Sequence, residues 1–288
     1  MKFFSHIKKS KRPTHKQVLR ERFKNFVLEL KVRGFSEKTI DAYLYYNGRF
    51  LDFIGKEPRS VSSVDVKSYL NYLVGYDAGP RTVNMAISSL KAYYESFMHK
   101  RLFAFIKRPK APKDLPRVLS KDEIMSMIGN AGSLKHKLLI ELLYSSGMRV
   151  GECVKIKVED IQDKIVFIKK GKGKKDRFTI TSGRFIDDLR AYLDKRKKPS
   201  IYLFDNGSGS HIGIRTAEEI VKQAAKRAGI RKRAYPHLLR ASFATHLLEN
   251  KVNIDDIQKL LGHSSRETTK GYIRAKTDGL MKIKSPLD

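Results

Sequence analysis

Hydrophobic positions recur at helical spacing through the first third of the chain. Val18, Leu19, Phe23, Phe26, Val27 and Leu30 step by threes and fours, which predicts a first amphipathic helix. Ile40, Tyr43, Leu44, Leu51 and Ile54 repeat the pattern behind Ser36, a residue type that caps helix N-termini. Val66, Leu70 and Leu73 mark a third helix. Val83, Ile87, Leu90, Tyr94 and Phe97 mark a fourth, opened by Gly79-Pro80. Four helices with short connections predict a small bundle over residues 13–106. The pattern stops at Lys107–Arg117, where three prolines and five basic residues in eleven positions predict a stiff, extended linker. A second domain, 118–288, opens at Ser120-Lys-Asp-Glu123, a capping-box pattern. Residues 134–145 then predict an apolar helix, and Ile165–Ile168 and Phe178–Ile180 two short strands around a Gly-Lys-rich turn. Helical patterns resume at 184–195 and 215–228, and Pro236 sits where a first helical turn tolerates proline. Asn253 caps Ile254–Leu261, with Asp255 and Asp256 in the favourable first turn and Gly262 ending the helix. The class expected is mainly α with a small β-sheet.

Charge narrows the partners. Sixty Lys and Arg against 30 Asp and Glu leave a formal charge of +30, a balance that predicts a polyanion, nucleic acid first and an anionic membrane surface second. No apolar run is long enough to span a bilayer, and the basic tail 1–12 lacks a signal-peptide core, so no membrane is expected. The single cysteine, Cys153, excludes an internal disulfide and a Cys-rich zinc site, and points to a cytoplasmic protein. The tail itself reads as a solvated arm with room for a stray DNA contact.

Against this background a scattered polar set stands out. Arg149 lies in Ser-Gly-Met-Arg-Val-Gly-Glu (146–152), after the apolar helix. Lys172 lies in Gly-Lys-Gly-Lys-Lys-Asp-Arg (171–177), between two glycines that let backbone approach a ligand, with Lys174 and Lys175 as competitors for its role. His237 and Arg240 stand three apart in Pro-His-Leu-Leu-Arg (236–240), a spacing that puts them on one helical face. His263 follows in Leu-Gly-His (261–263) and Tyr272 nine residues later. Two arginines, a lysine, two histidines and a tyrosine suit phosphodiester cleavage without a metal: a nucleophile, a proton acceptor, cations for the phosphate oxygens and an acid for the leaving oxygen. A tyrosine ionises near pH 10, so cations beside it would favour the phenolate. Each residue alone has a bland reading: a surface arginine, a helix-start histidine, a solvated basic turn. His246, on the helix of Arg240, reads as structural.

In this order and at these spacings the set resembles the tyrosine recombinases, DNA strand-exchange enzymes. The resemblance covers nearly the whole chain and is strongest in Pro-His-Leu-Leu-Arg-Ala-Ser-Phe-Ala-Thr-His-Leu-Leu (236–248), Leu-Leu-Gly-His-Ser-Ser (260–265) and Thr-Thr-Lys-Gly-Tyr (268–272). It implies a helical core-binding domain and a mostly helical catalytic domain that together clamp duplex DNA. It implies that Arg149 and Arg240 hold the scissile phosphate, that Lys172 protonates the leaving 5′ oxygen and that His237 takes the tyrosine proton. It further implies that His263 bonds the phosphate and that Tyr272 forms a 3′-phosphotyrosyl link, with no cofactor and no metal. Within the family the chain is similar to the Xer subgroup, its archaeal version in particular, which acts in chromosome dimer resolution at short inverted-repeat sites. A homo-tetramer on two DNA sites, joined by C-terminal tail exchange, follows from the same likeness. Ala241 and Gly271 depart from the usual family residues, and neither falls on one of the six positions.

Four readings compete at this point. They are a site-specific recombinase of Xer or phage and plasmid type, a type IB topoisomerase with the same tyrosine chemistry, a non-enzymatic DNA-binding protein, and a metal site from His237, His246 and His263. That histidine spacing matches no zinc pattern. Beyond Tyr272, Leu280, Ile283 and Leu287 lie at spacings that predict a short helix covering a surface of the protein or of a neighbouring subunit.

Overall fold

The computed structural model describes residues 14–110, 118–169, 176–262 and 283–288. The chain divides into two compact units, 1–113 and 114–288, each with its own hydrophobic core.

Among the described residues, the first unit has five α-helices: α1 (His15–Arg22), α2 (Lys24–Val32), α3 (Glu37–Ile54), α4 (Ser63–Gly75) and α5 (Pro80–Lys91). The Ser36 hydroxyl accepts from the Thr39 amide at 3.2 Å, and Gly55 ends α3 with φ 60°, in the left-handed region that favours glycine. The sequence predicts one helix where α1 and α2 stand. The break falls at Phe23, whose backbone leaves helical geometry at φ −113°. The ring of Phe23 is buried edge-on against Tyr93, with centroids 5.2 Å apart. Leu19, Phe23, Phe26 and Leu30 are all buried, so tertiary packing overrides the local periodicity. At its far end α5 continues as a π-helical segment, Ala92–Phe97, which brings Tyr93 and Tyr94 into the same core.

The second unit is mostly helical, with a three-stranded antiparallel sheet ordered β1-β2-β3. Its elements are α6 (Lys121–Gly129), α7 (Leu134–Ser146), α8 (Val150–Cys153), β1 (Ile161–Gln162), β2 (Ile165–Ile168), β3 (Arg177–Ile180), α9 (Gly183–Asp194), α10 (Ile214–Arg227), α11 (Pro236–Glu249) and α12 (Ile254–Leu261). Strand β1 is an addition to the two strands the sequence predicts. It is two residues long, too short for an alternating pattern to register. Helix α7 runs through the core, with every residue from Leu138 to Ser146 buried. Its buried stretch is mainly apolar, and α6, α9 and α11 pack around it. The capping box expected at Ser120 is formed, with the Glu123 carboxylate accepting from the Ser120 amide at 2.7 Å. His246 is buried and shares a 2.7 Å hydrogen bond between Nδ1 and the Tyr144 hydroxyl, which makes it part of the core.

Gly147, directly after α7, has φ 60°, and a Cβ there would lie 2.3 Å from Cδ1 of Phe243 on α11. Gly147→Ala therefore combines left-handed strain with overpacking and should cost roughly 2–4 kcal/mol. A urea melt with an unchanged slope and a lower midpoint is the expected reading.

The last six residues depart from the predicted short helix. Residues 283–288 form a turn seated on the second unit. The Ser285 hydroxyl donates to the Ser145 carbonyl at 3.1 Å, and Asp288 accepts from the Gly183 amide at the start of α9 at 2.7 Å. Leu287 is buried. Pro286 lies two residues before the C-terminal Asp288, and a proline cannot donate to a helix there.

Candidate active site

Three segments distant in sequence meet around three arginines. Arg149 is the N-cap residue of α8; its amide donates to Oε2 of Glu152 at 2.9 Å and its Nη1 to Oε1 at 3.0 Å. Arg177 opens β3 and meets the same carboxylate with two prongs, Nη1 to Oε1 at 2.9 Å and Nη2 to Oε2 at 2.6 Å. Its Nε donates to the Leu260 carbonyl at the end of α12, at 3.2 Å. Arg240, on α11, donates from Nη1 to the Gly147 carbonyl at 2.5 Å and from Nη2 to the Leu261 carbonyl at 2.7 Å.

Two of these carbonyls belong to the C-terminal end of α12, where unpaired backbone oxygens and the helix dipole favour cations. The third follows the end of α7. Gly147 and Gly262 both adopt positive φ, turning the chain sharply at the two places where a carbonyl meets Arg240. Gly262 also makes room: a Cβ there would lie 2.6 Å from Cδ of Arg177.

The electrostatics are strongly positive. Arg240 is only 4% exposed. Burial, then the charges of Arg149 and Arg177, push its guanidinium down to about 10, so it remains a cation at neutral pH. Burial opposes ionisation of Glu152 as well. The double bond from Arg177, with the bonds from Arg149, more than offsets this and holds the carboxyl down to about 2. A guanidinium offers five donors in a planar fork, so an arginine can be held by protein oxygens and still grip a phosphate.

Of the six residues expected from the sequence, Arg149 and Arg240 are brought into one electrostatic neighbourhood. His237 starts the same helix as Arg240, one turn away, but it is exposed where Arg240 is buried. Lys172, His263 and Tyr272 lie outside the described residues. Lys172 belongs to the segment between the paired β2 and β3, where Ile168 faces Arg177. His263 directly follows Gly262.

Two parts of the site were given no role by the sequence. Glu152 sits three residues after Arg149, a spacing that brings side chains together at a helix start. Arg177 is the last residue of the Gly-Lys-rich motif. Beside the start of α11 there is also an open groove lined by Arg215, Lys222, Lys226, Lys232 and Arg233, with Glu218 and Glu219 on the same rim. Nothing in the one-dimensional pattern gathers those charges, because α10 and the 230–235 loop supply them separately.

Similarity to known proteins places the chain in a family. The pattern described as "Phage integrase family" matches residues 117–278, and "Phage integrase, N-terminal SAM-like domain" matches 22–103. The chain is 34% identical over 260 residues to Tyrosine recombinase XerA of Pyrococcus horikoshii, covering 88% of this chain and 89% of that protein. Among solved structures, a crystal structure of XerA recombinase aligns over 91% of this chain and 98% of its own, at 28% identity and a TM-score of 0.50. The XerH recombinase bound to a palindromic difH substrate, in a post-cleavage complex, aligns over 78% and 73% at 22% identity and a TM-score of 0.67, a likeness of fold. With three arginines gathered on carbonyl and carboxylate anchors and a relative this similar over most of both lengths, the chain belongs to the tyrosine recombinase family of DNA strand-exchange enzymes.

Proposed function

We propose that the protein is a site-specific Xer-type recombinase that cuts and rejoins duplex DNA through Tyr272. The observation that carries this reading is the pair Arg149 and Arg240 on different elements: Arg240 bonds the Gly147 carbonyl, two residues before Arg149, and Arg149 bonds Glu152. Such a pair suits a phosphodiester, whose two non-bridging oxygens need two cationic forks.

In the proposed reaction the Tyr272 oxygen attacks phosphorus while its proton passes to His237. The bond from phosphorus to the 5′ oxygen breaks, and Lys172 donates the proton that turns the leaving oxygen into a hydroxyl. Arg149, Arg240 and His263 hold the charge that builds on the phosphate. The 3′-phosphotyrosyl link keeps the bond energy, so a 5′ hydroxyl from another strand can reverse the steps and complete an exchange. Residues 13–106 act as a core-binding domain and 118–288 as the catalytic domain, closing as a clamp on the duplex through the linker 107–117. The reaction unit is a homo-tetramer on two short inverted-repeat sites, coupled through the C-terminal tails, and its cellular task is chromosome dimer resolution in the cytoplasm. The similarity to XerA supports the Xer assignment, and the basic groove beside the start of α11 supports contacts to DNA phosphates.

The test is a nicked duplex carrying the footprinted site, incubated with the protein in EDTA. The reading predicts a detergent-stable protein–DNA adduct, and recombinant product when two sites are supplied. An adduct without exchange would leave a topoisomerase; no adduct would leave a DNA-binding protein.

Affinity supplies a second expectation. A protein with a formal charge of +30 that wraps DNA should release many counterions. With six or more phosphate contacts, binding should weaken roughly a thousandfold or more between 50 and 200 mM salt. Titrations of specific and random duplex should both slope steeply, with the specific site keeping its advantage. A flat slope would contradict the electrostatic part of the reading.

A further inference from the structure

We propose that Arg177 is a positioning residue that takes up the charge of Glu152 and thereby leaves Arg149 available to the scissile phosphate. The inference rests on the reading that Arg149 grips that phosphate.

Glu152 is nearly enclosed, with a side chain 10% exposed, and it stands between two arginines. If Arg149 were its only cation, the fork of Arg149 would be drawn onto both carboxylate oxygens, since a buried carboxylate without full pairing is costly. The structure shows otherwise. Arg177 makes the bidentate contact, at 2.9 and 2.6 Å, and Arg149 contributes a single side-chain bond of 3.0 Å plus its amide. No other bond among the described residues holds the Arg149 guanidinium, and its side chain is 28% exposed. Arg177 is the reverse case. Its side chain is 11% exposed, both Nη atoms bond Glu152 and Nε bonds the Leu260 carbonyl. It is committed to the protein and not aimed at a ligand.

The same residue ties together the segments that carry the other expected groups. It opens β3, so it stands at the root of the β2–β3 connection to which Lys172 belongs. Its stem fills the space that Gly262 leaves, immediately before His263. Helix α12 packs on β3 through this contact region. Arg177 therefore fixes the relation of α8, β3 and the end of α12 from a single guanidinium.

A charge-compensating role makes a prediction that simple packing does not. Arg177→Met keeps the stem and removes the charge. Glu152 then claims Arg149, and adduct formation on the nicked duplex should fall on the order of a hundredfold, the scale of one lost electrostatic donor. Duplex affinity should stay within a few-fold, because one cation among 60 is lost. Adding Glu152→Gln removes the carboxylate that sequesters Arg149, so the double variant should regain about tenfold or more. Glu152→Gln alone should lose less than Arg177→Met. Wild type and Tyr272→Phe run alongside, so a failed assay of the reaction itself is distinguished from a failed role for Arg177. Thermal melting and footprinting confirm that each variant is folded on its site. If folded Arg177→Met cleaves like wild type, or if the double variant is no faster than Arg177→Met, the proposal is overturned.

Discussion

Arg240→Ala should abolish cleavage while leaving site recognition largely in place. Arg240 is buried and donates to two carbonyls from different segments. Removing it takes a cation from the developing phosphorane and with it at least one preorganised donor, an effect of roughly a hundred- to a thousandfold per donor. If, as proposed, the fork serves both the protein and the phosphate, a loss near the upper end is expected, about a thousandfold or more in single-turnover adduct formation. Stability should fall too. The Gly147 and Leu261 carbonyls lose their bonds to the buried guanidinium. Two orphaned buried acceptors cost about 2–5 kcal/mol together. Arg240→Lys should restore little activity, because a single ammonium cannot span two carbonyls and a phosphate with planar geometry. Cleavage by a folded Arg240→Ala within tenfold of wild type would show that the phosphate is held elsewhere.

This expectation depends on a location that sequence reasoning reaches only in part. The helices around the site announce themselves through their ends. Asn253 and Gly262 bound α12, Ser120 with Glu123 opens α6, and Pro236 starts α11, because caps and prolines act within a few residues of themselves. The apolar run of α7 likewise predicts a buried helix, and Arg149 falls just past it. What lies beyond local rules is lost. The break at Phe23 depends on Tyr93, 70 positions later, and no spacing within 16–30 reveals it. The seating of Ser285 and Asp288 depends on Ser145 and Gly183.

The same division runs through the site. Arg149 and Arg240 are legible as members of a motif set, whereas the anchors of Arg240 are backbone carbonyls that carry no side-chain signature. Glu152 and Arg177 stand 25 positions apart and meet because β2 and β3 pair with Ile168 opposite Arg177. Register of that kind depends on turn geometry and three-dimensional packing. His237 shows the limit of a spacing rule. Three residues from Arg240 it shares a helical side, yet the helix start leaves it exposed while Arg240 is buried one turn on.

The central claim is that Tyr272 supplies the attacking oxygen. Tyr272→Phe removes that oxygen and keeps the ring, so folding and footprint should be retained while the covalent adduct disappears altogether. The direct measurement is to trap the wild-type adduct on nicked duplex in EDTA, digest it with nuclease and protease, and sequence the nucleotide-bearing peptide by mass spectrometry. The account predicts a nucleotide 3′-linked to Tyr272 and no adduct from Tyr272→Phe; a nucleotide on any other residue, or an adduct that survives the substitution, would contradict it.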